Sequence, residues 1–330
     1  MKLGIIGSGM IVEHLLQFIH EIKEIELIHI SGTKRSEEKV KKIKEEHNFK
    51  RYSTDYNNLL NDGEVDTIYV ALPNHLHYEY TKQALEANKH VILEKPFTST
   101  LEEAKELVEL AMDKKLFLWE AITNQYFPNY YKIKEILPEL GNIKIIESNF
   151  SQYSSRYDAF KQGNILPAFD YTKSGGSLMD LNIYNIHFIV GLFGKPNDVH
   201  YFPNIENNID TSGILIMEYD TFQCVCIGAK DCKAPLSNNI QGDKGNIHID
   251  TSLSILDSLE VNMNNGDYHY YSLNDDKHRM YHEFIAFEKM YEEKDYETCY
   301  RMLEHSLTVT WVQTTARKKA GVIFSADIKK

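Results

Sequence analysis

Cysteine is scarce in this 330-residue chain. The four present, Cys224, Cys226, Cys232 and Cys299, are too few and too unevenly spaced for a disulfide framework. Cys224-Val225-Cys226 alternates as strand residues do, so the four read as reduced thiols, with a zinc site as the alternative. No His, Cys and carboxylate cluster has ligand spacing, which argues against metal catalysis. No apolar run reaches the ~18 residues of a membrane span, and the N-terminus enters a strand pattern without the basic and then apolar segment of a secretion signal. The expected location is the cytoplasm. Positive charge is also short: the formal net charge is −12, whereas a nucleic-acid surface needs clustered Lys and Arg. The one basic cluster, residues 39–44, is interleaved with Glu37, Glu38, Glu45 and Glu46, the pattern of a solvated helix face. Repeats, linkers and low-complexity segments are absent. What remains is a soluble globular composition, 42% hydrophobic and 25% charged, with a length that suits two domains.

Strand-like runs at residues 2–6, 26–30, 67–71, 90–93 and 117–120 alternate with helical segments ending near residues 22, 47, 88 and 114. Such alternation implies parallel pairing through right-handed crossovers, hence an α/β, doubly wound sheet. After Pro128 the runs become rich in Ile, Val, Tyr and Phe with hairpin punctuation, as at Asn264-Asn265-Gly266 between 259–263 and 268–273. That predicts an α+β domain with a large, open, mostly antiparallel sheet, flanked by helices near 180–193 and 281–291. A last helix over about 301–320 stops at Gly321 after Lys318 and Lys319. The expected domains are 1–121 and 122–330, the last helix packing back toward the first.

The first strand runs into Gly7-Ser8-Gly9-Met10-Ile11-Val12. In a dinucleotide fingerprint the first glycine permits the tight turn, the second lets backbone approach the pyrophosphate, and the following helix N-terminus faces its charge. Val12 stands where a third small residue is usual; without dinucleotide binding, the same run is a plain strand-turn-helix with two turn glycines. At the end of the second strand an acid would hold the ribose 2′-hydroxyl of NAD, yet Ser31-Gly32-Thr33-Lys34-Arg35 contains none. Hydroxyls with Lys34 or Arg35 suit a 2′-phosphate, so NADP is the preferred cofactor and NAD the alternative; the bland reading leaves both cations as loop residues near Glu37 and Glu38. Polar residues follow two further strands, Leu72-Pro73-Asn74-His75-Leu76-His77 and Glu94-Lys95-Pro96, where an open parallel sheet presents ligand-binding groups.

These motifs, with Tyr69-Val70-Ala71, Lys89-His90-Val91, Gly175-Gly176-Ser177-Leu178-Met179-Asp180 and Gly242-Asp243-Lys244-Gly245, resemble the Gfo/Idh/MocA oxidoreductases over nearly the whole chain. Trp119-Glu120-Ala121, Phe127-Pro128 and Asn182-Ile183-Tyr184 look most like the NADP-using dihydrodiol and xylose dehydrogenases. The chain departs from the pattern at Val12, Asn88, Asn182 and Thr123-Asn124-Gln125. The resemblance implies a Rossmann domain followed by a substrate-binding and dimerisation domain. It also implies an NAD(P)-dependent dehydrogenase or reductase acting on a CH–OH group of a sugar, polyol or cyclic diol. A nicotinamide-binding sensor without turnover and a redox-assisted glycosidase are the alternatives.

Oxidation of a carbinol needs a group that takes the hydroxyl proton beside the hydride acceptor. The resemblance places Lys95 beside nicotinamide and substrate and Tyr184 as proton donor and acceptor; a phenol needs a neighbouring cation to ionise near neutrality, which Lys95 would provide. The proton is assigned to this pair without choosing between them. His77 is expected to hydrogen-bond substrate or orient the pair. Asp180, Tyr184 and His187, at i, i+4 and i+7, share one helix face, although a lone His or Tyr on a helix is more often a packing residue than a catalyst. Trp119, Asn124 and Phe127 are the expected substrate contacts. His14, His20, His29, His47 and His248 have no sequence partner that raises them. Four apolar residues in a row, Ile214 to Met217, suggest a strand covered on both faces, and the family's habit of pairing through this sheet implies a homodimer.

Overall fold

The computed structural model describes residues 1–328 and divides into two compact units, Met1–Ala121 with Met280–Leu307, and Ile122–Arg279 with the chain from Thr308 onward. In the first unit β1 (Lys2–Ile6), α1 (Met10–Leu16), β2 (Glu26–Ser31), α2 (Glu37–Glu46), β3 (Arg51–Ser53), α3 (Tyr56–Leu60), β4 (Thr67–Val70), α4 (His77–Glu86), β5 (His90–Glu94), α5 (Leu101–Asp113) and β6 (Leu118–Ala121) follow in turn. Six strands form one sheet in the order β3-β2-β1-β4-β5-β6, every neighbouring pair parallel, which is the doubly wound arrangement expected. Thr67-Ile68-Tyr69-Val70 is buried at each position, as strands covered on both faces must be. The strand order reverses between β1 and β4, so the loops after these strands diverge from one sheet edge, the place where open α/β sheets bind ligands. β3 and α3 escape the sequence pattern because Arg51 and Tyr52 are exposed and carry no apolar run. α5 starts on a capping box: Thr100 Oγ1 accepts from the Glu103 N–H at 3.2 Å, and the Glu103 carboxylate accepts from the Thr100 N–H.

The second unit contains α6 (Pro128–Ile136), β7 (Ile143–Ser151), α7 (Tyr157–Lys161), α8 (Ser177–Asp180), α9 (Asn182–Phe193), β8 (Asp198–Glu206), β9 (Ile209–Glu218), β10 (Gln223–Ala229), β11 (Ser237–Gly242), β12 (Gly245–Ile249), β13 (Leu259–Met263) and β14 (Tyr268–Tyr271). Its sheet runs β14-β13-β12-β11-β7-β10-β9-β8, antiparallel throughout except where β7 pairs β10. Tyr130, Ile133, Ile183, Ile186 and Ile189 from α6 and α9 share a core with Ile146, Leu215, Met217, Cys224 and Cys226 from the strands. Leu215 and Met217 are therefore inward, whereas Ile214 is 43% exposed on the opposite face with Phe202 and Ile145. The sequence suggests one helix over 180–193, but the chain breaks at Leu181. Asn182 and Asn185 donate to the carbonyls of Cys226 and Ile227, so α9 is anchored to β10 from its first turn.

Three helices close the chain: α10 (Tyr281–Glu293), α11 (Tyr296–Lys319) and α12 (Ser325–Ile328). Residues 280–307 group with the first unit, contrary to the continuous 122–330 domain expected. Their aromatic faces explain it: Phe284 meets Phe18 and Tyr69, Phe287 stacks on Trp119, Tyr296 stacks on Phe117 at 4.2 Å, and Leu303 joins the core of the parallel sheet. The division falls within α11, whose Val309, Val312 and Ala316 belong to the second core. α11 begins at Tyr296, before the expected 301, because the Asp295 carboxylate accepts from the Thr298 N–H at 2.9 Å. Among the described residues the four cysteines are free, no group of three His, Cys, Asp or Glu is placed to hold a metal, and no helix is long and apolar enough to cross a membrane.

Candidate active site

At the carboxyl edge of the parallel sheet the two glycines of the fingerprint do different things. Gly7 has φ +126° and a Cβ there would run into the Ala71 carbonyl, so only glycine lets β1 turn beside β4. Gly9 is exposed, and a Cβ there would meet nothing within 4 Å. This open cradle is what backbone approach to a pyrophosphate requires, with Ser8, Met10 and Ile11 beside it. Val12 is fully buried and fills the helix-to-strand packing position that a smaller residue usually takes.

At the end of β2, Ser31 faces inward: its hydroxyl accepts from Ser53 and its carbonyl from the Gly7 N–H. Its expected contact with cofactor gives way to a structural role. Thr33, Lys34 and Arg35 are exposed. Glu37 and Glu38 pair instead with Lys41, and Lys39 with Glu13, so the nearby carboxylates are committed to cations other than Lys34 and Arg35. Two cations with no acid between them is the charge pattern that accepts a 2′-phosphate.

Behind this surface His29, passed over in the sequence, holds Asp62 through Nδ1 and Ser53 through Nε2, both at 2.9 Å. Burial lowers its pKa against the pull of Asp62. The Asp62 carboxylate is held near 2: burial opposes, but hydrogen bonds from Arg51 and His29 outweigh it.

After β4 come Leu72, Pro73 and Asn74, and after β5 Glu94, Lys95 and Pro96. His77 is completely buried at the start of α4, with Nδ1 2.8 Å from the Pro96 carbonyl and Nε2 2.8 Å from the Leu72 carbonyl. Burial pushes its pKa down despite those carbonyls, so the neutral ring has one N–H to donate. With both nitrogens turned to backbone, His77 is a brace between the two loops rather than the substrate partner expected. Glu94 is also interior, its carboxylate accepting from the Tyr69 hydroxyl. Lys95 is half-buried at the strand end.

In the second unit Asp180 ends α8, and the break at Leu181 separates it from Tyr184 and His187 on α9, so the single shared helix face does not form. Tyr184 is 7% exposed and His187 is fully buried. Asn124 donates to the Tyr184 carbonyl at 2.8 Å, Gln125 to the His187 carbonyl at 2.9 Å. Asn124 is therefore a prop for α9, and Phe127 belongs to the core; neither lines a surface. Trp119, in the first unit, is likewise 1% exposed between Phe117 and Phe287. The sequence also gives no sign of Asp210 and Lys230. Asp210, on β9, accepts from the Leu178 N–H and the Tyr201 hydroxyl, each at 2.7 Å, and fixes α8; burial raises its pKa to about 6 against those bonds. Lys230 pairs with Asp180 at 2.9 Å.

Residues 1–122 match the model of the Gfo/Idh/MocA oxidoreductases, described as an oxidoreductase family with an NAD-binding Rossmann fold. Scyllo-inositol 2-dehydrogenase (NADP(+)) of Bacillus subtilis is 31% identical over 328 residues, 99% of each chain. Trans-1,2-dihydrobenzene-1,2-diol dehydrogenase of Xenopus tropicalis is 26% identical, covering 79% of this chain and 78% of its own. D-xylose 1-dehydrogenase (NADP(+)) of Hypocrea jecorina is 33% identical over 57% of this chain and 52% of its own. Among solved structures, a 3-ketoreductase from Actinomadura kijaniata in complex with NADP and TDP-benzene superposes with a TM-score of 0.81 over 96% of this chain and 98% of that one, at 20% identity, which speaks to fold alone. With a full-length relative at this identity and the fingerprint glycines in place, the chain belongs to the Gfo/Idh/MocA family of NAD-binding oxidoreductases.

Proposed function

We propose that the protein is an NADP-dependent dehydrogenase of a cyclic polyol such as an inositol, within the wider class of sugars, polyols and diols. The observation that carries the reading is the arrangement along one sheet edge: the open Gly9 cradle after β1, uncommitted Lys34 and Arg35 after β2, and Lys95 after β5. Full-length similarity to an inositol dehydrogenase supports the substrate class. Bound NADP supplies the hydride acceptor. Gly7 to Ile11, Leu72 to Asn74 and the β5 end would seat it, with Thr33, Lys34 and Arg35 at the 2′-phosphate. Lys95 of the first unit and Tyr184 of the second are the candidates that the family resemblance gives for the hydroxyl proton, with Asp180 and His187 as further candidates in the second, and His77 holds the Lys95 loop in place.

The reading extends to a cytoplasmic homodimer. Free buried thiols suit a reducing compartment, and Phe202, Ile214 and Ile145 make the outward sheet face apolar; a second copy is the cover we assign to it. The function is tested by absorbance at the nicotinamide band with NADP⁺ and a panel of inositols, D-xylose and cyclic diols, with Lys95→Met alongside. Reduction by wild type and its loss in the variant support the reading. Silence with cofactor binding intact would favour the sensor or the internal-redox glycosidase.

A further inference from the structure

The lysine that follows β10 is placed where packing alone would favour an uncharged side chain. Lys230 is 2% exposed; its Nζ donates to Asp180 Oδ2 at 2.9 Å and to the Ala168 carbonyl at 2.7 Å, and stands 4.5 Å from the centre of the Phe169 ring. Its main chain is fixed as well, the N–H donating to the Thr211 carbonyl and the carbonyl accepting from the Ser154 N–H. The Ala168 carbonyl takes a second donor, the Gly176 N–H at 3.1 Å. A Cβ on Gly175 would lie 2.6 Å from the Pro167 carbonyl, so the Pro167–Phe169 turn rests directly on the glycine pair that leads into α8. The Asp180 side chain at the far end of α8 is 32% exposed, and its Oδ2 takes the Lys230 ammonium from the buried side. A methionine of similar length would fill the hole without the desolvation cost of a buried ammonium, so the charge needs another explanation, and the half-open carboxylate supplies it.

We propose that Lys230 is a positioning residue for the reaction: its ammonium aims the Asp180 carboxylate, keeps it ionised, and through Ala168 ties the Pro167–Phe169 turn to the same point. This rests on the reading of Asp180 as part of the dehydrogenase site. The other charged group acting on Lys230 is Asp210 from β9, which the lysine also stabilises as an anion; next in the chain, Asp231 turns its Oδ2 to the hydroxyls of Thr211 and Ser212. Asp180 is the acid of this group that Lys230 grips directly.

The test is a double-mutant cycle of Lys230→Met and Asp180→Asn on the full-length enzyme, with kcat/KM followed against pH. Lys230→Met is expected to lower kcat/KM about 100-fold, the scale of a small misplacement at a reacting centre, and to move the acidic limb up by about one pH unit or more. Lys230→Arg, which keeps the cation, returns the limb toward wild type. NADPH affinity stays unchanged in all three single variants, and adding Lys230→Met to Asp180→Asn costs nothing further. Multiplying losses in the double variant, or an acidic limb that does not move, would overturn the assignment. Thermal melting checks folding; Lys230→Gln replaces the methionine variant if that one melts below assay temperature, and loss of fold in both assigns the lysine a purely structural role. Absence of turnover in the wild type with NADPH bound removes the dehydrogenase reading itself, a result distinct from wild-type turnover with multiplying losses.

Discussion

Alanine in place of each fingerprint glycine separates the fold from the cofactor site. At Gly7 the φ of +126° lies where L-residues are strained, a cost of about 1–3 kcal/mol. The added Cβ also strikes the Ala71 backbone carbonyl, which has no flexible side chain to yield, for roughly another 1–3 kcal/mol. Gly7→Ala therefore loses about 2–6 kcal/mol, and at ~2–4 °C per kcal/mol for a unit of this size the melting transition falls by about 4–24 °C. At Gly9 the space is empty within 4 Å, so Gly9→Ala without cofactor stays within ~0.5 kcal/mol of wild type. The same methyl group occupies the path by which backbone approaches a pyrophosphate, and NADPH affinity should fall about tenfold or more, ~1.4 kcal/mol. Thermal melts with and without NADPH, beside a fluorescence titration, read both effects. A Gly9→Ala protein that binds NADPH as tightly as wild type would refute the cradle, and a Gly7→Ala protein that melts with wild type would refute the turn.

Replacing Lys34 and Arg35 together by alanine should weaken NADPH binding about 100-fold or more, as expected for two lost charge-assisted contacts of about 1.5–3 kcal/mol each, while NADH binding is unaffected; equal loss for both cofactors would contradict the 2′-phosphate assignment. Asp210 has a folded-state pKa raised by burial to about 6 from 3.8, so the folded chain holds its proton more tightly and this residue's contribution to stability declines as pH rises from about 4 to about 6, by roughly 3 kcal/mol. The melting difference between wild type and Asp210→Asn should follow that slope, and a difference flat over this window would count against it. Ile214→Asp and Phe202→Glu, both on the exposed sheet face, should convert a dimer to monomer in light scattering with little change in activity per chain; a wild type that is monomeric at micromolar concentration ends the dimer proposal.

Much of the first unit was legible because parallel strands announce themselves as short, wholly apolar runs between helices, and because Gly7, Gly9 and Glu94-Lys95-Pro96 sit straight after such runs. The strand-helix register fixed which residues share the carboxyl edge. What stayed hidden was decided by partners distant in sequence. Nothing local in Leu178-Met179-Asp180-Leu181-Asn182 signals a break; α8 is set by the Asp210 carboxylate on the Leu178 amide, and α9 by Asn182 and Asn185 reaching β10. Periodicity reveals that α10 has an apolar face but not which sheet that face covers, and the rings of Phe18, Tyr69 and Trp119 are what take Phe284 and Phe287. Trp119 and Phe127 are read as pocket walls because aromatics near a site look alike whether they face solvent or core. His77 stands out in the sequence by its place after β4, yet both its ring nitrogens face backbone carbonyls, of Pro96 and Leu72. Lys230 meets Asp180 across 50 positions of sequence, a spacing no motif records.

The most direct test of the account is the initial rate of NADP⁺ reduction by purified protein with inositol stereoisomers, measured for wild type and Lys95→Met. The account predicts turnover with at least one cyclic polyol, a preference for NADP⁺ over NAD⁺, and loss of about 100-fold or more in the variant while NADPH still binds. Turnover unchanged in Lys95→Met, or a wild type that binds NADPH yet reduces no NADP⁺ with any polyol, sugar or diol, would contradict it.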